Sequence, residues 1–275
     1  WQDSRADFHY KDGKSYAEYL GCFAGYGLAT DFYNEMNGLI PKNAVYLCTI
    51  ADYAVMKLCG NSAPIMHTSD AASFGCFDIK GGAYDKAALE KISVPYEFMP
   101  KVSGEISIAG KDKNGIPVSL AIGDNQGSFL GSVADAENSV LVNVGTGSQV
   151  SFVTEKVTDL SCGEIRPLTD DKYIFVGASL CGGRAYAILK SFFEKCAEML
   201  GGKAENLFSL MDEKAESISD FSDLLTVNCQ FCGTRENPKL RGSIENIGIE
   251  NLTPENLILG TLKGVSKELL DMYES

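Results

Sequence analysis

The chain has 275 residues, 45% of them hydrophobic and 22% charged, with a formal net charge of −13. These proportions belong to one large globular domain or two ordinary ones, and exclude disorder, collagen or coiled coil over the chain as a whole. No apolar run has the length of a membrane-spanning helix, and the acidic balance argues against a nucleic-acid-binding face. Phosphorylated small ligands stay open, because backbone amides and helix N-termini bind phosphate locally whatever the net charge.

The sequence begins at Trp1 without a methionine or signal peptide and stops at Ser275 within a predicted helix, so both ends read as cuts. Residues 45–59 carry Leu47, Ile50, Ala54 and Leu58 at helical spacing, with Gly60 as the stop. Residues 118–122 form a short apolar run, a buried-strand candidate. Gly123-Asp124 follows, then a helix from Gln126 to Val133, so Asp124 falls at a strand-to-helix junction. A second unit opens near Asn138. Strand 139–144, the turn Gly145-Thr146-Gly147 and a returning strand 148–153 read as a hairpin. Strand 173–178 leads through Leu180-Cys181-Gly182-Gly183 into a helix ending at Leu200, and 224–231 is a further strand candidate. The last helix has Thr253 as N-cap, Pro254 at its first position and an apolar stripe of Ile258, Leu262, Val265, Leu269 and Met272.

Two histidines, His9 and His67, offer little to a His-rich zinc site or a Ser-His-Asp hydrolase, so proton transfer falls to a carboxylate. The nine cysteines are odd in number and sit in apolar stretches, which predicts reduced, buried thiols. Cys229-Gln-Phe-Cys232 is a lone C-x-x-C without the second pair that a four-ligand metal site wants. Residues 104–112 miss the P-loop pattern by one residue, and Gly145-Thr-Gly147 fails as a dinucleotide fingerprint because Val150 replaces the third glycine and a strand follows. What remains is a glycine-flanked threonine at a hairpin tip. It is either an ordinary turn or a nest of amides for an anion. Asp124 at a helix start is favoured as the anion and can accept a proton from a hydroxyl, although capping is the commoner use of such a residue. Asn125 and Gln126 beside it make three consecutive polar side chains where a core would continue, which points to a site. Trp1, the single tryptophan, is either a sugar-stacking face or part of the core.

Six segments then stand in a familiar order. They are Trp1-Gln2-Asp3-Ser4-Arg5; Asp52-Tyr53 with Lys57-Leu-Cys-Gly60; and Thr68-Ser-Asp-Ala-Ala-Ser73 with Phe77-Asp78. After these come Gly123-Asp124-Asn125-Gln126; Asn143-Val-Gly-Thr-Gly-Ser148; and Phe231-Cys-Gly-Thr-Arg235 with Arg241-Gly-Ser243. From end to end the chain resembles the FGGY carbohydrate kinases. The family's opening Asp-x-Gly-Thr phosphate loop is absent, as is the glycine-rich adenine loop expected after Ser275, so the likeness is to the middle of such a kinase.

The resemblance implies an α/β fold of two actin-like (RNase-H-like) ATPase domains with an interdomain cleft, present in part. Residues 1–136 would be the later part of the N-terminal sugar-binding domain, and 137–275 the earlier part of the C-terminal nucleotide-binding domain. It implies ATP-dependent phosphorylation of a sugar hydroxyl, with a ketose such as sedoheptulose or xylulose as acceptor and ATP and Mg2+ as cofactors. In that reading Asp124 is the general base and touches the metal through water. Trp1, Asn125 and Gln126 hold the sugar. Gly145, Thr146 and Gly147 cradle the β- and γ-phosphates, and Gly183 lets the nucleotide lie close to the helix start. The expected setting is cytoplasmic, with sugar and ATP as partners, neither nucleic acid nor membrane, and a homodimer compatible with the family. The 275 residues alone are expected to be inactive. The alternatives are a non-catalytic sugar- or nucleotide-binding fragment and an actin-fold phosphohydrolase.

Overall fold

The structure, a computed structural model, describes residues 2–158, 160, 162–169, 171–203, 205–234 and 237–275. It divides into two compact units: Trp1–Asn138 with Val153–Thr158 and Ile165–Ile174, and Ser139–Phe152 with Asp159–Glu164 and Phe175–Ser275.

The first unit is organised around helix α1 (Gly27–Met36), whose Leu28 and Phe32, one turn apart, pack into a core with Tyr16, Met66, Phe74, Leu89 and Ile92. Helix α2 is Ile50–Cys59. It starts later than the apolar spacing from Leu47 predicts, because Thr49 and Asp52 form a capping box that fixes the first turn. Gly60 ends it at φ 67°, the left-handed conformation that only glycine adopts without strain. Strand β1 (Ile65–His67) pairs in parallel with β2 (Lys101–Ser103), and helix α3 (Thr68–Phe74) leaves directly from the end of β1.

The apolar run at 118–122 is not the buried strand its composition predicts. Only Pro117–Ser119 is extended, paired antiparallel with Ile108–Lys111. Leu120, 3% exposed, already plugs the core, and its amide donates to Ser107 O at 2.9 Å. Of the run only Leu120 is buried, and the pairing ends there. Helix α4 (Asp124–Ser132) therefore begins two residues before the predicted start, which places Asp124 and Asn125 in its first turn.

The larger sheet contains β3 (Val140–Val144), β4 (Ser148–Thr154), β5 (Glu164–Pro167) and β6 (Tyr173–Ser179), in the order β5-β6-β4-β3. β3 and β4 form the predicted hairpin, in register from Val144 opposite Ser148 to Val140 opposite Phe152. Helix α5 (Gly183–Met199) follows β6 and helix α6 is Leu207–Glu216, with Leu189, Leu207 and Met211 in one cluster with Ile258. β7 (Thr226–Asn228) is shorter than the predicted 224–231 and pairs antiparallel with β8 (Ser243–Glu245). Helix α7 (Pro254–Glu274) starts as predicted, the Thr253 side chain accepting the Asn256 amide at 3.2 Å. Its predicted stripe is only half right: Ile258 and Leu269 are buried, whereas Leu262 is 38% exposed. The helix also presents glycines one turn apart to β7. A Cβ on Gly260 would lie 2.8 Å from Leu225 O, and one on Gly264 2.1 Å from Val227 O. That closeness of backbones is a contact a hydrophobicity pattern does not register.

Among the described residues no helix is long and apolar enough to cross a membrane.

Candidate active site

Asp124 stands on a turn that is wired to the core by a line of hydrogen bonds. His67, 0% exposed, ends β1. Its Nδ1 accepts the Ser69 amide at 3.2 Å and lies 2.8 Å from Ser69 Oγ, while Nε2 lies 3.2 Å from Gly104 O. An amide only donates and a carbonyl only accepts, so the ring carries its proton on Nε2 and accepts at Nδ1. The Ser69 hydroxyl then donates to Nδ1 and accepts the Gly123 amide at 2.9 Å. The residue immediately before Asp124 is thus tied through Ser69 and His67 to the end of β1 and the loop after β2. On the other side Gln126, 2% exposed, turns inward and donates from Nε2 to Pro167 O at 2.8 Å. A Cβ on Gly123 would lie 2.5 Å from Gln126 Oε1, which explains a glycine at this position.

Between these two anchors the Asp124 side chain is exposed, its Oδ1 accepting the Asn125 amide at 2.7 Å, and Asn125 is half-buried. Behind it stand two further carboxylates. Burial, then the charges of Asp52 and Asp124, push the Asp70 acid up to about 6. Burial also raises Asp52, opposed by its hydrogen bonds with Thr49. Asp52 Oδ1 and Asp70 Oδ2 are buried without a hydrogen-bond partner among the described residues. Asp52 is buried and Asp70 half-buried, so Asp124 is the most exposed carboxylate of this group.

Trp1 lies outside the described residues. The rest of its segment closes on itself. Arg5 Nε donates to both Asp3 oxygens at 3.0 Å, and its Nη1 donates to Asn34 Oδ1 at 2.9 Å. These Arg5 hydrogen bonds hold the Asp3 acid down at about 2. The N-terminal segment is therefore fastened to α1 at Asn34.

The hairpin tip between β3 and β4 is latched to the segment joining β6 to α5. Gly145 N donates to Gly147 O at 2.8 Å and closes the turn. Gly183 N donates to Gly145 O at 2.7 Å, and Arg184 N to Thr146 O at 3.0 Å. The approach is so close that a Cβ on Gly147 would lie 2.6 Å from Ser179 O, and one on Gly182 would lie 2.5 Å from Gly147 O. A Cβ on Gly183 would lie 2.7 Å from Gly145 O. The missing side chain of Gly183 thus makes room for the turn itself. The latch consumes the Gly145 amide and three carbonyls and leaves the Thr146 and Gly147 amides outside it. The latch is held from behind by Ser179, whose hydroxyl donates to Glu268 Oε2 of α7 at 2.8 Å and accepts the Cys181 amide at 3.2 Å. Two adjacent amides that lie outside the latch, with no backbone partner among the described residues, have the chemistry to donate to an anion.

The His67–Ser69 line and the latch are not apparent in the sequence, where His67 is one of two histidines set far apart. The signal available was local: His67 directly precedes Thr68-Ser69-Asp70, one of the six ordered segments.

No family model matches the chain. Its fold is part of the actin-like fold of the FGGY-type sugar kinases. Xylulose kinase from Lactobacillus acidophilus superposes with a TM-score of 0.73 at 16% sequence identity, over 91% of this chain and 52% of that one. In sequence the chain is similar to sedoheptulokinases, at 27% identity to that of Mus musculus and 26% to that of Homo sapiens, each over 290 residues that take in 99% of this chain. The chain spans 60% of the length of either relative.

Proposed function

We propose that the chain is the central part of an ATP-dependent kinase that phosphorylates a ketose hydroxyl, with Asp124 as general base. Residues 1–136 supply the sugar-binding part and 137–275 the nucleotide-binding part. The observation that carries this reading is the turn at Gly123-Asp124, an exposed carboxylate held between two buried hydrogen-bonded anchors. The similarity to sedoheptulokinases supports the ketose acceptor.

Asp124 takes the proton from the attacking hydroxyl as that oxygen bonds to the γ-phosphorus and the bond from phosphorus to the bridging oxygen breaks. General-base catalysis of this kind contributes ~10²–10⁴-fold. Phosphoryl transfer depends on position and charge stabilisation rather than on covalent help from the protein, which suits a base on a fixed turn. Asn125 holds a sugar hydroxyl. Gln126, turned inward, holds the turn, and Trp1 is assigned to the sugar by the segment it opens. The Thr146 and Gly147 amides receive phosphate oxygens, while Gly145 and Gly183 allow the turn to be bare and latched.

The described residues contain no group of three or more His, Cys, Asp or Glu side chains that could hold a metal ion. The exposed Asp124 carboxylate is the residue that would hold a Mg2+ ion, through water. When bound, the ion neutralises charge on the phosphates.

Coupled ADP-release assays of the enzyme across sedoheptulose, xylulose, glycerol and an aldose test the assignment. Turnover that requires a ketose supports it. Phosphate release without any sugar contradicts it and indicates a phosphohydrolase.

A further inference from the structure

We propose that Cys181 and Cys232 are a dithiol site that closes reversibly to a disulfide when a peroxide oxidises Cys232. The sequence pairs Cys232 with Cys229, but the structure separates them. Cys229, 1% exposed, donates from Sγ to Thr261 O of α7 at 3.3 Å. Cys232 turns the other way, and its Sγ lies 3.7 Å from that of Cys181, a residue 51 positions away in the chain.

The two sulfurs are placed for different roles. Cys181 is 1% exposed, and burial pushes its thiol up to about 11, so it stays protonated and inert alone. Cys232 is half-buried, and Arg184 Nη1 donates to its Sγ at 3.7 Å. A guanidinium there stabilises the charge on sulfur as it attacks. Cys232 is the sulfur a peroxide meets. Its Sγ bonds to one peroxide oxygen, the O–O bond breaks, and the second oxygen leaves as water once protonated, giving a sulfenic acid. Cys181 Sγ then bonds to Cys232 Sγ, the S–O bond breaks, and a second water leaves with the Cys181 proton. Two thiols lose two electrons and two protons, and one peroxide becomes two waters. A thiol reductant returns both electrons by exchange.

Closing the gap from van der Waals contact to a bond of about 2.05 Å draws the sulfurs together by roughly 1.7 Å. Cys181 immediately precedes Gly182 and Gly183, and the bonds of Gly183 and Arg184 to the hairpin tip are the latch. Oxidation therefore pulls on the latch. Its effect on nucleotide rests on the reading given under Proposed function, whereas the disulfide and the loosening of the latch do not.

The test treats the folded chain with equimolar hydrogen peroxide, blocks remaining thiols with N-ethylmaleimide, and maps unreduced peptides by mass spectrometry. The expected result is a Cys181–Cys232 linked peptide two hydrogens lighter than its parts, absent after dithiothreitol. It should be absent in Cys232→Ser and undiminished in Cys229→Ser, with circular dichroism showing both variants folded. Hydrogen exchange at the Gly183 and Arg184 amides should quicken at least tenfold on oxidation. A Cys229–Cys232 link as the main product, or Cys232 oxidised further with Cys181 alkylated, overturns the pair. A confirmed link with unchanged exchange at both amides overturns its coupling to the latch.

Discussion

Replacing Gly182 and Gly145 by alanine in turn separates what the latch needs from what a ligand needs. A Cβ on Gly182 would sit 2.5 Å from both the carbonyl carbon and the oxygen of Gly147 and 2.8 Å from Ser148 N. All three atoms are backbone, so relief requires the segments to part by about 1 Å to reach ordinary contact. The bonds Gly183 N to Gly145 O, at 2.7 Å, and Arg184 N to Thr146 O, at 3.0 Å, then pass beyond hydrogen-bonding range. Two such bonds are worth about 2 kcal/mol together, which lowers Tm by roughly 4–8 °C in a protein of this size. Gly145 behaves oppositely. Its nearest neighbour to an added Cβ is Gly147 O at 3.9 Å, and its φ is not among the positive ones. Gly145→Ala should change stability by less than about 0.5 kcal/mol, while its methyl enters the open space beside the tip. Urea denaturation and calorimetric titration with ATP and Mg2+ read the two quantities separately. Gly182→Ala should unfold earlier, and Gly145→Ala should unfold normally yet bind ATP at least about tenfold more weakly. A stable Gly182→Ala refutes the latch; a Gly145→Ala variant with unchanged affinity refutes the phosphate site.

Ser69→Ala removes the hydroxyl that accepts the Gly123 amide. Leaving that amide unpaired costs about 1–3 kcal/mol, and the loosened turn should lower kcat at least about tenfold with little change in KM for ATP; steady-state kinetics with unaltered kcat would show that the turn does not need this anchor. Asp70 makes a pH prediction. Its folded value, raised from 3.8 to about 6, means the folded chain binds the proton more tightly than the unfolded one. Its stabilising contribution is therefore complete below about pH 4 and is lost as pH rises through about 6, by at most ~3 kcal/mol. Asp70→Asn should accordingly be more stable relative to wild type at pH 7 than at pH 4. Equal urea midpoint differences at the two pH values would contradict the buried-carboxylate argument. Arg5→Met should detach the Asp3 segment from Asn34 and raise the Asp3 acid from about 2, visible as a displaced carboxyl titration by NMR; an unmoved titration would remove Arg5 as the cause.

What was legible in the sequence was local. The hairpin around Gly145-Thr146-Gly147, the stop at Gly60 and the start at Thr253-Pro254 each depend on residues within a few positions, and each stands where expected. The order of the six segments carried the fold. What was not legible involves partners distant in the chain. Gly123 to Ser69, Gln126 to Pro167, Gly183 to Gly145 and Cys232 to Cys181 are contacts that spacing does not contain. Glycines that permit two backbones to touch, such as Gly182 and Gly264, look in sequence like any other glycines. Helix α6 carries no capping signal either: its N-cap, Asn206 at φ 51°, makes no side-chain cap hydrogen bond.

Asp124 is the proposed base, and Asp124→Asn in the enzyme tests that role most directly. Ketose-dependent ADP release should fall by at least about 10²-fold in kcat, with ATP affinity by calorimetry essentially unchanged. The amide is isosteric and can neither accept the hydroxyl proton nor carry the charge. A variant that retains most of its kcat would contradict the assignment of Asp124 as the base.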